Sequence, residues 1–378
     1  MDIYAQLYVD PIINAAGTLT ALGGSLMPAE VIDAMAAASR AFVDMAELHL
    51  AAGKRIAELI GVEAAHVCAG AAAGITLMAA ACMTGTDLER IRQLPNTDGM
   101  PDRLIVQRAH RNPYDQAARL SGARLVEIGA DAEELKRTLD GETAAVYCTF
   151  AWLCRGEALP FEQVVDIAHE AGVPVIVDAA AEVPPAENLS RFVHEGADLV
   201  AFSGGKGIRG PQSSGLILGR KELIEACRLN DNPNMGVGRP MKVGKEEIVG
   251  LVKAVEVYLA QDHASVEAVW ERRVAHVIEA LSGLEQVHAR RQMPYGIGQL
   301  VPHVALTWDE NALGITSQEL VQRLRNGRPR IAVQLITPGP HSFPGPKCPE
   351  VRVHPHTLRD GEEIVVAHRL EEALAGKA

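Results

Sequence analysis

The sequence predicts an α/β chain: a large domain on a mostly parallel sheet, followed by a small C-terminal α/β domain. Two observations carry that prediction. Short apolar, β-branched runs alternate with stretches of helical length, the pattern of strands joined by crossover helices and covered on both faces. The chain has 378 residues, 48% of them hydrophobic, which is ample for a core and long enough to favour two domains over one.

Taken in order, HVCAG (66–70) reads as a strand end and AAAGITLMAAACMTG as a buried helix after it. Gly70 and Gly74 interrupt this apolar stretch, which is read as strand and helix rather than a membrane span. RLIVQ (103–107) is strand-like, followed by the polar loop RAHRNPYD and a helical QAARLSG. ARLVEIG (123–129), AAVYCTF (144–150), VPVIVDAA (173–180), DLVAFSG (198–204) and GLILG (215–219) are further strand candidates, with a helix from Phe161 to Glu170 among them. After the Pro/Gly-rich NPNMGVGRPMKVG, one long helix is expected from Lys245 to about Ala280, with the domain change inside it. VPHVALTW, RIAVQLI and EVRVHP then read as strands, and SQELVQRLR and GEEIVVAHRLEEALA as helices. The expected division is an N-terminal segment 1–55, a large domain 56–260 and a small domain 261–378.

The formal net charge is −12, which argues against broad nucleic-acid binding but leaves room for a local anion pocket. Cys68, Cys82, Cys148, Cys154, Cys227 and Cys348 are scattered, with no CxxC spacing. They read as buried thiols of a reducing compartment, not as a disulfide frame or a zinc site. The start, MDIYAQLYVD, has no basic n-region or apolar h-region, so a cytoplasmic protein is expected.

Three features in order point to chemistry. Gly70, Ala71, Ala72 and Ala73 sit where a strand turns into a helix, and a helix N-terminus of small residues suits a phosphate. Close helix–strand packing is the other reading of that stretch. Asp178 ends an apolar strand, where a carboxylate points into the ligand crevice of a parallel sheet; a cap or a metal ligand would use the same position. Lys206 follows the next strand, inside FSGGKGIRGP. A lone lysine there would be a surface residue. Together the three supply an amine for an aldehyde, an acid for a pyridine nitrogen and a phosphate cradle, which is what pyridoxal 5'-phosphate (PLP) requires. Ser203 could add a hydroxyl to the cradle, and Lys206 could serve as the α-proton base.

The order of small-residue loop, Asp and S-x-x-K resembles the fold-type I PLP enzymes of the aspartate aminotransferase superfamily. INAAGT (13–18), SGGKGIRGPQSSG (203–215) and GRPMKVGKEE (238–247) resemble the selenocysteine synthase-like branch, which includes ammonia-lyases of amino-sugar acids. The resemblance covers nearly the whole chain. It implies a PLP-dependent transferase fold with a seven-stranded, mostly parallel sheet in the large domain, and a Schiff base on Lys206. It implies a planar ring stacking on the cofactor, for which His110 in RAHRNPYD is the candidate, near Arg111 and Tyr114. Asn14 and Thr18 look like a substrate-side lip, and Gln212 like part of the entrance. Arg239 and Lys242 form a small cationic patch suited to a substrate anion or to the PLP phosphate of a neighbouring subunit, or an ordinary interface loop. Arg209 reads equally as an anion contact or a solvated charge, and Arg352 as a carboxylate binder or a strand-edge charge. His303, His354 and His356 read as structural, and no metal site is expected.

The implied reaction is a lyase: loss of ammonia and the β-hydroxyl from a 2-amino-3-hydroxy acid such as D-glucosaminate or its 6-phosphate. An aminotransferase and a racemase would share the proton-removal step. A Ser203–Lys206 hydrolase dyad would leave Asp178 and the Gly70 loop without a joint role. Acidity and a start almost directly on INAAGT disfavour a tRNA substrate. Partners are therefore expected to be a small amino acid and further copies of the chain, with no nucleic acid and no membrane.

Overall fold

The computed structural model describes residues 3–150, 156–294, 299–338 and 348–375, and Cys154 lies outside them. The chain divides into two compact units. One takes Ser25–Gln261 with Gly296–Gln299; the other takes Met1–Gly24, Asp262–Tyr295 and Leu300–Ala378.

Twelve strands are described: β1 Ile12–Ala15, β2 Ala64–Cys68, β3 Arg103–Gln107, β4 Arg124–Ile128, β5 Thr143–Thr149, β6 Val175–Asp178, β7 Leu199–Ser203, β8 Gly215–Gly219, β9 Val287–Gln292, β10 His303–Trp308, β11 Arg330–Ile336 and β12 Glu350–Val353. The larger unit holds a seven-stranded sheet in the order β2-β8-β7-β6-β5-β3-β4. Only β8 runs against its neighbours β2 and β7; the other pairings are parallel. Alternation along each strand feeds two apolar layers. Val200 and Phe202 of β7 enter one, while Leu199 and Ala201 enter the other. Both faces are therefore covered, which explains why the strand sequences read as continuous apolar runs.

The helix Ala71–Thr84 is buried over nearly its whole length, on β7 and β8. Gly74 permits that approach: a Cβ there would stand 3.4 Å from Ala201 Cβ and from Ile217 Cγ1. The packing reading of this stretch is thus realised alongside any role of its N-terminus.

Two expectations on organisation need correction. The stretch 245–280 is two helices, Lys245–Ala260 and His263–Leu281, with Asp262 capping the second through the Ser265 N–H. The segment 1–55 divides at Gly24. The helices Ala29–Ala38 and Met45–Ile60 pack on the helix Lys245–Ala260 and so join the larger unit. The INAAGT segment instead supplies β1, which pairs in parallel with β11. The smaller unit is a five-stranded sheet, β1-β11-β12-β10-β9, against the helices His263–Leu281, Ser317–Asn326 and Glu362–Leu374. β9 was not foreseen, because VHARRQ is mostly polar and half-exposed.

Candidate active site

Parallel strands bring their C-terminal ends to one edge of the sheet, and four sequence-predicted features lie there. Gly70 follows β2, His110 follows β3, Asp178 ends β6 and Lys206 follows β7. The reversed β8 begins at the same edge: Gly215 pairs with Cys68 of β2 and with Ser203 of β7.

Gly70 has φ +107°, a left-handed backbone that glycine adopts without strain, and it opens the helix Ala71–Thr84 without a side-chain cap. The Gly74 N–H bonds to the Gly70 carbonyl at 3.0 Å. The three preceding amides, on Ala71, Ala72 and Ala73, have no carbonyl one turn back inside the helix and carry its positive end. Ala72 is exposed while Ala71 and Ala73 are buried. Ser203 is half-buried at the end of β7.

Asp178 is buried, and its Oδ1 accepts from the Ala180 N–H at 3.0 Å. Burial pushes its carboxyl above the usual carboxylate range; the Ala180 amide and the Lys206 charge oppose that, and Asp115 adds to it. Lys206 is half-buried and makes no hydrogen bond or ion pair to any described side chain. Burial lowers its pKa from the ordinary lysine value, and the carboxylates of Asp178 and Glu182 oppose the drop. An amine that loses its proton more readily is present to a greater extent as the neutral form that attacks an aldehyde or accepts a proton.

His110 is buried, edge-on to Phe150 at 6.0 Å between ring centres, and its pKa falls to about 4 through burial. Its Nδ1 has no partner among the described residues. The loop is held by Asn112, whose Nδ2 donates to the His110 carbonyl at 3.0 Å, and by Arg111, whose Nε donates to the buried Asp115 at 2.5 Å. A neutral ring, a carboxyl, an amine and a row of amides are the complement PLP needs, and their donor chemistry fits that group.

The lower-ranked candidates disperse. Arg209 has a left-handed backbone at φ +58° and donates from Nε to the Leu26 carbonyl at 2.9 Å. Gln212 is exposed, with its backbone against Gly205. Arg239 and Lys242 lie on the loop that follows Asp231. Asn14, Thr18 and Arg352 belong to the smaller unit. There Arg352 Nε donates to the buried Glu350 at 2.7 Å, so part of that guanidinium is committed. His303 and His354 stack at 4.9 Å and His356 meets His354 edge-on, under Gly17 of the lip; no metal-holding cluster occurs among the described residues. Sequence reasoning missed Glu182, a buried acid four residues after Asp178 that reads in sequence as an ordinary turn charge.

The family model of L-seryl-tRNA selenium transferase matches residues 12–287. The chain is 37% identical over 383 residues to a 5'-C-glycyluridine monooxygenase-decarboxylase from Streptomyces sp, covering 98% of this chain and 92% of that one. It is 33% identical over 384 residues to D-glucosaminate-6-phosphate ammonia lyase of Salmonella typhimurium, covering 98% and 97%. A solved structure of a D-glucosaminate-6-phosphate ammonia-lyase superposes with a TM-score of 0.84 at 31% identity, over 100% of this chain and 99% of the other. Serine palmitoyltransferase of Sphingomonas wittichii superposes at 0.62 with 15% identity, a likeness of fold type I alone. No described helix is long and apolar enough to cross a membrane.

Proposed function

The chain belongs to the L-seryl-tRNA selenium transferase family, and on that premise we propose that it is a PLP-dependent lyase that releases ammonia from a 2-amino-3-hydroxy acid. D-Glucosaminate or its 6-phosphate is the substrate class that the 33% relative supports. The single observation that carries the PLP reading is the convergence of the Gly70 turn, His110, Asp178 and Lys206 on one sheet edge.

When bound, the cofactor supplies an electron sink for negative charge at the substrate α-carbon. Asp178 would hold a proton at the pyridine nitrogen, and its burial would keep water from competing there. The amides of Ala71, Ala72 and Ala73 and the Ser203 hydroxyl take the phosphate. His110 offers a ring face. Lys206 would hold the cofactor through its amine and would accept a proton from the substrate α-carbon. Arg239, Lys242, Gln212 and Arg209 remain candidates of the larger unit for contact with a substrate anion. Asn14, Thr18 and Arg352 remain candidates of the smaller unit. Further copies of the chain are part of the same proposal, as is a cytoplasmic location.

The experiment is a panel of 2-amino-3-hydroxy acids, D-glucosaminate 6-phosphate among them, assayed for ammonia and keto acid. Amino transfer to an added keto acid, with neither product released, overturns the lyase reading in favour of an aminotransferase. Racemisation alone points to a racemase. The 37% relative supports a second reading, an oxygen-dependent decarboxylation, and CO2 release with oxygen uptake in the same panel would identify it.

A further inference from the structure

Lys206 sits between two peptide planes, and each is held. A peptide unit is planar, so the direction of its carbonyl fixes the plane that carries the next nitrogen. The Gly205 carbonyl belongs to the plane entering Lys206, and it accepts from Ser25 Oγ at 3.0 Å. The Lys206 carbonyl belongs to the plane leaving it, and it accepts from the Arg209 backbone N–H at 3.0 Å. Arg209 is itself tied back, its Nε donating to the Leu26 carbonyl at 2.9 Å. The adjacent residues Ser25 and Leu26 thus reach both sides of the lysine, across 180 and 183 residues of chain.

The turn itself has few side chains with which to hold that shape, since Gly204, Gly205 and Gly207 surround the lysine. They admit backbone instead: a Cβ on Gly205 would stand 2.6 Å from Gln212 Cα, and one on Gly207 2.1 Å from the Val183 oxygen. The Gly204 N–H donates to the Ser214 carbonyl at 2.9 Å and the Gly210 N–H to the Gly204 carbonyl at 2.8 Å, closing the base of the turn. Neither bond involves the Gly205–Lys206 peptide. Arg209 is left-handed at φ +58°, and among the described non-glycine residues only Tyr8 shares that region. A residue with a side chain stays there where its surroundings over-determine it, and here both its N–H and its guanidinium are bonded. We infer that Ser25 and Arg209 are positioning residues for Lys206, a clasp that fixes the direction in which the lysine side chain leaves the turn. This rests on the PLP reading above. The lysine nitrogen must add to an aldehyde carbon while the aldehyde oxygen leaves as water, and a displacement of about 1 Å costs such a step up to roughly 100-fold. Arg209, otherwise a candidate anion contact, thereby acts through the lysine.

The test compares the full-length native chain with S25A, S25T and R209M. PLP is added, and its attachment is followed by visible absorbance and by borohydride fixation to the Lys206 peptide. S25A and R209M are expected to attach PLP about tenfold or more slowly, and S25T, which returns the hydroxyl, to recover to within about threefold of native. Before PLP is added, the pH midpoint for labelling of Lys206 by acetic anhydride is expected to rise in S25A by on the order of half a unit, because burial lowers it in the native turn and a loosened turn lets the amine reach water. A bond that merely stabilises the fold would lower the urea midpoint and move neither readout. Attachment at the native rate in S25A and R209M, or no recovery in S25T, would overturn the assignment. If the native chain fixes no PLP on Lys206, the PLP reading fails by itself. The labelling profile then decides the clasp alone: a raised midpoint in S25A upholds it, and an unmoved one overturns it.

Discussion

Gly215 lies so close under Gly70 that a Cβ on it would stand 2.5 Å from the Gly70 carbonyl carbon and 2.8 Å from the Ala71 nitrogen. The first residue of the reversed strand β8 thus supports the turn from which the helix proposed to cradle the phosphate starts. Gly215→Ala must push that turn outward. We expect it to weaken PLP binding by about tenfold or more, since amide geometry at the anion is lost, while the apolar layers stay intact. Equilibrium titration of the apoprotein with PLP checks this, and unchanged affinity would remove the Gly70 turn from the cofactor site.

Lys206 is the amine to which the cofactor is expected to attach. Lys206→Ala should abolish borohydride-fixable attachment of PLP, read by mass spectrometry of the Lys206 peptide, and should reduce turnover by about 1,000-fold or more as the proton-transferring amine is lost. Retention of a fixed cofactor on another lysine would show that the amine was misassigned.

Asp178→Asn removes the group proposed to keep the pyridine nitrogen protonated and leaves the side-chain volume unchanged. A loss of roughly 100-fold or more in kcat is expected, with little change in the amount of PLP bound. Absorbance of the bound cofactor and steady-state rates, measured on the same sample, separate the two effects.

His49, His110, His303 and His356 have pKa values lowered by burial to about 4, and His354 lies well below the ordinary 6.5 for the same reason. The unfolded chain binds protons on these rings below about pH 6.5 and the folded chain only near pH 4. The unfolded state therefore holds more protons in that window, and folded stability falls as pH falls through it. Urea midpoints should decline from pH 6.5 towards pH 4 and change little on these groups' account above pH 7. A flat profile between pH 6.5 and 5 would contradict the burial of these rings.

Asp231 Oδ2 pairs with His66 Nε2 at 2.8 Å, and both side chains are buried. Asp231 also accepts from the Asn232 backbone N–H at 2.7 Å, which ties the loop bearing Arg239 and Lys242 to β2. Asp231→Ala leaves His66 and that amide unpaired inside the fold. A loss of roughly 3–5 kcal/mol is expected in a urea unfolding experiment.

Much of this was legible in the chain itself. Apolar runs ending in Asp178 and preceding Lys206, and small residues after Cys68, are local signals whose meaning depends on strand direction alone, and a parallel sheet sets that direction. β9 and the break at Asp262 were not legible. A half-exposed polar strand has no apolar alternation, and one long amphipathic stretch does not announce where it is interrupted.

The sequence by itself determined the α/β class, the family resemblance and the order of cradle, acid and amine, because those rest on periodicity and on residues near one another in the chain. Only the tertiary structure decided that INAAGT would become β1 beside β11, that Gly215 would underlie Gly70, and that Glu182 would be buried beside the lysine loop. Each joins segments that the chain places apart, and an approach so close that only glycine fits at 207 and 215 is a property of packing that no single segment encodes. Lys206, unexceptional as a glycine-flanked lysine, owes its lowered pKa to burial within that packing.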